Sequence, residues 1–192
     1  DFCLSRGLGD VYKRQFLAGD AKSFVVNPRP ITLTADNQSK VYGDTLSLGT
    51  TGFTRTAGTF ANSESVSAVT LTSVNNRASN TTLGVGTYAS EIRPSAAVGA
   101  GGFVSSNYAI TYADGSLQVT ARPINITANA SQTKVYGDAN PTYTYALESA
   151  GSSRGLVNSD TFTGALSRNA GENAGSYAMT QGTLANSNYN IT

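Results

Sequence analysis

The sequence predicts an all-β protein built from tandem Ig-like β-sandwich repeats of about 93 residues in an extended array. Three observations lead to this prediction. One motif-rich segment occurs twice, at residues 29–44 and 122–138. Apolar and polar residues alternate around both copies with the period of two that strands require. No window of about ten residues or more combines helical periodicity with helix caps.

The repeat is defined by landmarks that recur in the same order. The offset is 93 residues between Arg29 and Arg122 and 94 between Asp44 and Asp138, so the second copy carries one extra residue. Ser23–Pro30 matches Ser116–Pro123, Gly86–Ala89 matches Gly175–Ala178, Ser106–Thr111 matches Ser187–Thr192, and Phe60–Thr70 matches Leu156–Leu166 more loosely. This period is too long for a solenoid and suits a self-contained β domain.

The landmarks divide the chain into four parts. Residues 1–15 have no counterpart one period later and resemble translated sequencing-adaptor read-through from a metagenome assembly, so we expect an artefactual leader; the alternative is a natural linker. Residues 16–28 are predicted to be the tail of a preceding repeat, and residues 29–121 a complete repeat. Residues 122–192 are predicted to be a second repeat that ends before its last strand.

Alternating segments predict the strands. They are Ile31–Ala35, Val66–Leu71, Tyr108–Tyr112, Leu117–Val119, Ile124–Ala128, Thr142–Leu147 and Thr161–Leu166. Asp114 and Gly115 separate two of these segments and predict a hairpin turn. Pro30 and Pro123 lack an N–H and suit the first position of a strand. The short, proline-stiffened junction at Thr120–Ala121 predicts little bending between repeats.

A Tyr-Gly-Asp motif predicts a turn after a strand in each repeat. It comprises Tyr42, Gly43 and Asp44 and again Tyr136, Gly137 and Asp138. Glycine supplies a positive φ, the aspartate bonds a backbone N–H, and the tyrosine ring lies at the core rim with its hydroxyl in water. The alternative is a calcium or sugar contact, but a calcium cage usually needs more than one carboxylate. Lys40 and Lys134 are expected to be solvated at strand ends; the alternative is an isopeptide bond to asparagine.

Tyrosines recur at matched positions. The pairs are Tyr42 with Tyr136, Tyr88 with Tyr177, and Tyr108 with Tyr189. Core-rim or corner positions are typical of tyrosines in repeated β domains. The alternative is an aromatic strip that stacks on glycans.

The composition excludes several classes of function. The chain has no histidine and no tryptophan, and its one cysteine, Cys3, lies in the predicted leader. A Ser-His-Asp triad and a zinc site are therefore not expected. With 13 basic and 12 acidic residues, nucleic-acid binding is not expected. No apolar run is long enough for membrane insertion. We expect no enzyme activity, no catalytic residue, no cofactor and no metal.

Taken together, the recurring motifs resemble a known repeat family. They are the Arg-Pro-Ile opening, Lys-Val-Tyr-Gly-Asp, Gly155–Leu166, Gly-(Thr/Ser)-Tyr-Ala and Ser-Asn-Tyr-x-Ile-Thr. Over residues 23–192 the chain resembles the MBG (mostly β, glycine-rich) and YDG repeats of filamentous-haemagglutinin-like bacterial adhesins. The resemblance implies a Gram-negative, secreted protein at the cell surface, outside the outer membrane, with spacer or stalk repeats that contribute to cell adhesion.

The partners that this resemblance implies are the neighbouring repeats of the same chain. The alternative function is that each repeat binds a host glycan or matrix protein weakly, with affinity multiplied by valency. A more remote alternative is an accessory module of a secreted enzyme.

Overall fold

The structure is a computed structural model that describes residues 23–192. The predicted leader, residues 1–15, and residues 16–22 of the predicted tail lie outside the described residues. Residues 23–192 form strands joined by turns, with one 3-10 turn at Ser105–Asn107 and no α-helix. The all-β prediction is confirmed. No helix in this described part of the chain has the length and apolarity that a membrane span requires.

Seven strands lie in residues 29–121, the predicted first repeat. They are β1 (Arg29–Ala35), β2 (Gln38–Val41), β3 (Phe53–Gly58), β4 (Ser65–Ser73), β5 (Gly86–Ala100), β6 (Tyr108–Ala113) and β7 (Gly115–Thr120). In β1 the side chains of Ile31, Leu33 and Ala35 are buried, while Thr32 and Thr34 between them are partly exposed. Successive side chains of a strand point to opposite faces, so the alternation in the sequence becomes a buried and a wetter face.

These strands form two sheets, in the orders β3-β1-β6 and β2-β7-β5-β4. β1 pairs antiparallel with β3 and parallel with β6, and β2 pairs parallel with β7. One cluster of buried side chains draws on both sheets, among them Leu33 of β1, Ile92 of β5 and Leu117 of β7. The first repeat is therefore a two-sheet sandwich with its core between the sheets. Its parallel pairs distinguish it from a purely antiparallel Ig sandwich.

The predicted hairpin turn at Asp114 and Gly115 is wrong. β6 pairs with β1, whereas β7 pairs with β2 and β5, so the strands on either side of Asp114 lie in different sheets. The chain passes close to β1 where it crosses from one sheet to the other, since a Cβ on Gly115 would lie 2.6 Å from the carbonyl oxygen of Ala35. Asp114 accepts a hydrogen bond from Arg93, with an Nη2–Oδ2 distance of 3.0 Å. Asp-Gly favours a tight turn, but it does not specify the partner of each flanking strand.

Six shorter strands lie in residues 122–192, the predicted second repeat. They are β8 (Arg122–Ile124), β9 (Ile126–Ala128), β10 (Tyr145–Leu147), β11 (Ser167–Arg168), β12 (Met179–Thr180) and β13 (Tyr189–Ile191). β8 pairs parallel with β13 in the register Arg122↔Tyr189, which repeats the register Arg29↔Tyr108 of β1 and β6. β9 pairs antiparallel with β10, as β1 does with β3. The pairings of the first sheet therefore recur in the second repeat, where they form two separate two-stranded sheets.

The second sheet is not built twice within the described residues. Residues 132–135 correspond to β2 but have no strand pairing in the described part of the chain. In the first repeat β2 pairs with β7, and positions one period beyond β7 lie past residue 192. The predicted strand Thr161–Leu166 is reduced to one bridge, between Thr163 and Ala185. A cavity of about 400 Å³ borders residues 132–134.

Candidate functional site

The two repeats meet at the turn that follows β2. The backbone N–H of Asp44 donates to the carbonyl oxygen of Val41 at 3.0 Å, and Gly43 has a φ of +85°. The structure thus places a tight turn at Tyr42, Gly43 and Asp44. All three residues of this turn contact the second repeat.

Arg122, the first residue of the second repeat, is 2% exposed. A guanidinium has five N–H donors, and each of the five in Arg122 has an acceptor. Nη1 donates to Asp44 Oδ1 at 2.7 Å and to the Tyr42 carbonyl at 3.0 Å. Nε donates to the Gly155 carbonyl at 2.9 Å, and Nη2 donates to the carbonyls at both ends of segment 151–154 at 2.8 Å. This side chain therefore fastens the turn of one repeat to a loop of the next.

Asp44 is partly buried and uses both carboxylate oxygens at the junction. Oδ2 accepts a hydrogen bond from the Ser153 hydroxyl at 2.5 Å. Burial by itself would raise the pKa of Asp44. Hydrogen bonds from Ser153 and Arg122, followed by the charges of Arg122 and Lys40, outweigh burial and hold the pKa of this carboxyl below its ordinary value. The ion pair is therefore a charge-assisted hydrogen bond at neutral pH.

A buried aromatic cluster lies beside the ion pair. Tyr42 is 3% exposed, and its ring meets that of Tyr189 edge to face with centroids 5.6 Å apart. Val119 of β7 and Ile124 of β8 complete the buried set, so the cluster draws on both repeats. The prediction that the Tyr42 hydroxyl is in water at the core rim is wrong, because the second repeat covers it. Burial is also the main cause that raises the pKa of Tyr42.

Gly43 approaches the second repeat too closely for any other residue. A Cβ at this position would lie 2.6 Å from Val157 Cγ2 and 3.3 Å from Arg122 Nη1. The positive φ adds a steric cost for any L-residue. Glycine is therefore needed in this turn both for its backbone conformation and for the contact between repeats.

Two asparagines add polar contacts across the junction. Asn158 Nδ2 donates to the Thr81 carbonyl at 3.0 Å, and Asn188 Oδ1 accepts the backbone N–H of Val85 at 3.1 Å. Both asparagines belong to the second repeat, and both partners precede β5 in the first. The junction is thus held by directional bonds as well as by apolar contact.

A buried tyrosine near the end of each repeat makes the same two bonds. The Tyr108 hydroxyl accepts the backbone N–H of Ala61 at 2.9 Å and donates to Glu64 at 2.7 Å. The Tyr189 hydroxyl accepts a backbone N–H of turn 157–160 at 3.1 Å and donates to the aspartate that ends that turn at 2.8 Å. Glutamate in the first repeat and aspartate in the second therefore serve as the same acceptor.

Lys40 is buried, so the expectation of a solvated strand-end lysine is wrong for this residue. Its Nζ donates to the carbonyl oxygens of Arg77 at 2.7 Å, Ala78 at 3.2 Å and Asn80 at 2.6 Å. Burial lowers the pKa of Lys40 more than the nearby Asp44 carboxylate raises it. Three acceptors match the three donors of an ammonium group, so the lysine fastens this loop to β2.

The corresponding turn of the second repeat has the same shape but is exposed. The backbone N–H of Asp138 donates to the Val135 carbonyl at 3.1 Å, and Gly137 has a φ of +92°. Tyr136 is 71% exposed, and a Cβ on Gly137 would have no atom within 4 Å among the described residues. The tyrosine of the Tyr-Gly-Asp motif is therefore buried in the first copy and exposed in the second.

The side chains at the junction between the two repeats attach one repeat to the other. Residues 23–192 contain no group of three or more His, Cys, Asp and Glu side chains placed to hold a metal ion. The charged groups of Arg122 and Asp44 bond to each other, to the hydroxyl of Ser153 and to backbone carbonyls. The arrangement fixes one repeat against the next.

Arg122 is the functional residue that the sequence pattern did not single out. The proline after it explains an extended backbone but requires no particular residue before it. Arginine nevertheless stands before proline in both copies, at Arg29 and Arg122. The recurrence of this arginine together with the aspartate of the Tyr-Gly-Asp motif was the signal in the sequence from which the role of Arg122 could have been predicted.

The strand pairings recur in the two copies, and residues of the recurring motifs form the junction between them. These features are typical of a protein built from repeated β domains. The family model of the MBG domain (YGX type) matches residues 31–118 and 124–192, and the chain belongs to this family. The predicted resemblance to MBG repeats is confirmed. The family is a structural, non-enzymatic repeat module that is typically found in surface adhesin-like proteins. Comparisons with curated proteins and with solved structures found no match.

Proposed function

We propose that the chain is a structural spacer of a large secreted bacterial adhesin. In this proposal the repeats form a stiff stalk that projects an adhesive part from a Gram-negative cell surface. Family membership supports the adhesin context. The spacer role is supported by one observation above all: Arg122 is buried with every donor bonded, two of them to the preceding repeat.

The covalent connection leaves little freedom for bending. Ala121 is the only residue between β7, which ends at Thr120, and β8, which begins at Arg122. Separating the repeats would break the hydrogen bonds from Arg122 to Asp44 and to the Tyr42 carbonyl. It would also expose the ring of Tyr42. A stiff connection is therefore the expected behaviour.

Multivalent ligand binding through the recurring tyrosines has less support. A ring that stacks on a sugar must be exposed. Tyr42, Tyr108 and Tyr189 are buried, and Tyr136 is the one of the six matched tyrosines that is largely exposed, at 71%. The Tyr88 hydroxyl is also engaged within the protein, since it donates to the Gly84 carbonyl at 2.8 Å. These side chains contribute to the cores and to the junction.

Distance measurement between two spin labels tests the spacer proposal. Labels are attached at the exposed positions Thr70→Cys and Ala170→Cys, with Cys3→Ser to remove the native thiol and excess unlabelled chain to isolate single molecules. We expect one narrow distance distribution that broadens with Arg122→Ala. Arg29→Ala, which changes the matching arginine at the exposed end, is the control and should leave the distribution narrow. A broad distribution without any junction substitution would contradict a stiff spacer.

A further inference from the structure

The loop that joins β4 to β5 carries part of the junction between the repeats. This β4–β5 loop, residues 74–85, contains no helix and no strand. Its Thr81 carbonyl accepts a hydrogen bond from Asn158 at 3.0 Å. Its Val85 N–H donates to Asn188 at 3.1 Å. The second repeat therefore binds a segment whose shape is not fixed by strand pairing.

A buried carboxylate holds the start of the β4–β5 loop. Glu91 of β5 is fully buried, at 0% exposure. Its Oε1 accepts the Ser73 hydroxyl at 2.5 Å and the backbone N–H of Asn75 at 3.1 Å. Its Oε2 accepts Asn75 Nδ2 at 3.0 Å and Arg77 Nη1 at 3.1 Å. The carboxylate thus has four donors, and all of them come from the end of β4 and the first residues of the loop.

A buried ammonium group holds the middle of the same loop. Lys40 of β2 is 7% exposed, and its Nζ donates to the carbonyl oxygens of Arg77, Ala78 and Asn80. Asn80 directly precedes Thr81, which accepts the hydrogen bond from the second repeat. The backbone is therefore fixed as far as the residue next to this contact.

The two charged groups hold the loop through opposite kinds of hydrogen bond. Glu91 binds N–H and O–H donors, whereas the Lys40 ammonium binds carbonyl oxygens. Both meet at Arg77, whose guanidinium donates to Glu91 and whose carbonyl accepts from Lys40. Displacement of the loop would leave both charges buried without their partners, which is unfavourable. The loop is therefore preorganised for the second repeat, and preorganisation lowers the ordering cost of a contact.

We propose that Lys40 and Glu91 are positioning residues of the junction. They hold the β4–β5 loop in the shape that the second repeat binds, through hydrogen bonds that lie within the first repeat. Lys40 lies two residues before Tyr42, so β2 contributes to the junction twice: through the turn that follows it and through the loop that Lys40 holds. The inference rests on the proposed spacer function and names two residues that give the spacer its stiffness.

Spin-label distances between the same two positions as for the spacer proposal test this role. Lys40→Met removes the ammonium group and Glu91→Gln removes the charge, each with little change in side-chain length. We expect both variants to lose the narrow distribution of the parent and to approach that of Arg122→Ala. Circular dichroism checks that each variant is folded, and either variant alone decides the question.

Ile31→Val is the control for a general loss of stability. It removes a buried methyl group from the core at β1, which makes no hydrogen bond to the β4–β5 loop in the described part of the chain. Its distance distribution should stay as narrow as that of the parent.

A second comparison separates the loop from the charge of Asp44. The charge of Lys40 also lowers the pKa of the Asp44 carboxyl, which is another route to Arg122. Asn158→Gly removes the bond to the loop, and Ser153→Gly removes the bond to Asp44; both positions have a φ of 54°, which glycine adopts freely. Asn158→Gly should broaden the distribution in the parent but add little in Lys40→Met, because the loop is already displaced. The effect of Ser153→Gly should be the same in both backgrounds.

Each possible outcome bears on the positioning role. A narrow distribution in a folded Lys40→Met or Glu91→Gln variant overturns it and leaves the spacer proposal intact. Equal broadening in Ile31→Val overturns it as well, since general destabilisation would then be the cause. Coupling of Lys40→Met to Ser153→Gly in place of Asn158→Gly also overturns it. A broad distribution in the parent contradicts the spacer proposal and, with it, this inference.

Discussion

Arg122 Nη1 lies 2.7 Å from Asp44 Oδ1, so the residue that begins one repeat is bound by the turn after the second strand of the repeat before it. Asp44 belongs to the Tyr-Gly-Asp motif and Arg122 to the Arg-Pro motif, and each motif occurs twice in the chain. The two clearest repeated motifs are therefore the two halves of one contact.

The first prediction compares the two matched arginines. Arg122→Ala leaves the carbonyl oxygens of Tyr42, Gly151, Arg154 and Gly155 and the Asp44 carboxylate without this donor, so it should lower the free energy of unfolding by about 2–4 kcal/mol. Arg29→Ala changes an exposed side chain and should cost no more than about 1 kcal/mol. Urea unfolding of the full chain at low protein concentration, followed by circular dichroism, measures both. Similar losses in the two variants would contradict the assigned role of Arg122.

The second prediction separates contact from backbone strain at two glycines. Gly43→Ala and Gly137→Ala both place a Cβ at a positive φ, but only the Cβ at residue 43 meets Val157. We expect Gly43→Ala to cost about 1–3 kcal/mol more than Gly137→Ala, because overpacking adds to the shared strain. The difference between their thermal unfolding midpoints measures this. Equal midpoints would mean that the junction moves freely enough to accept the methyl group.

The third prediction concerns the bonds made by the buried tyrosines. Tyr108→Phe and Tyr189→Phe each remove a hydroxyl that accepts a backbone N–H and donates to a carboxylate, so each should cost about 1–3 kcal/mol. Tyr136→Phe changes an exposed ring and should stay within about 0.5 kcal/mol of the parent. Chemical unfolding of the three variants checks this. A marked difference between the first two would show that glutamate and aspartate are not equivalent acceptors.

The fourth prediction is a dependence of stability on pH through Glu91. This side chain is buried, and burial raises its pKa, but hydrogen bonds from Ser73, Asn75 and the backbone of Arg77 outweigh burial and lower the pKa to about 2. The folded pKa lies below the ordinary value of 4.5. The stability contributed by the carboxylate is therefore complete above about pH 4.5 and is lost as the pH falls toward about 2.

Glu91→Gln tests this dependence. The variant should be less stable than the parent near neutral pH, and its stability should fall less between about pH 4.5 and 2 because the titrating group is gone. Urea midpoints measured at intervals across that range give both slopes. Parallel slopes for parent and variant would show that other carboxyl groups control the acid response.

The strands that the sequence predicts well are those whose burial is decided within one repeat. Ile31 and Leu33 alternate with threonines because one face of β1 packs on the opposite sheet of its own sandwich. The recurring landmarks could be identified in both copies for the same reason, since each landmark lies within one period. The pairing partners of the strands could not be predicted in this way. The alternation that identifies β6 and β7 does not indicate which sheet each strand joins.

Burial at the junction could not be predicted from local pattern. Tyr42 and Tyr136 have the same neighbours in sequence, yet one is buried and the other is 71% exposed. The difference lies in residues far along the chain, because Tyr189 and Val157 cover the first turn. Lys40 likewise owes its burial to carbonyls of a loop almost forty residues away. The sequence of a motif does not indicate whether another repeat packs against it.

The parallel pairing of β2 with β7 has a mechanical consequence. With Ala121 alone between β7 and β8, tension applied along the chain would pass from one repeat directly into the next. Stretching the first repeat from its two ends draws β7 forward past the strands that begin the domain, and its evenly spaced bonds to β2 share the strain instead of opening one after another. In the proposed spacer, such a unit would resist shear along the direction of the strands.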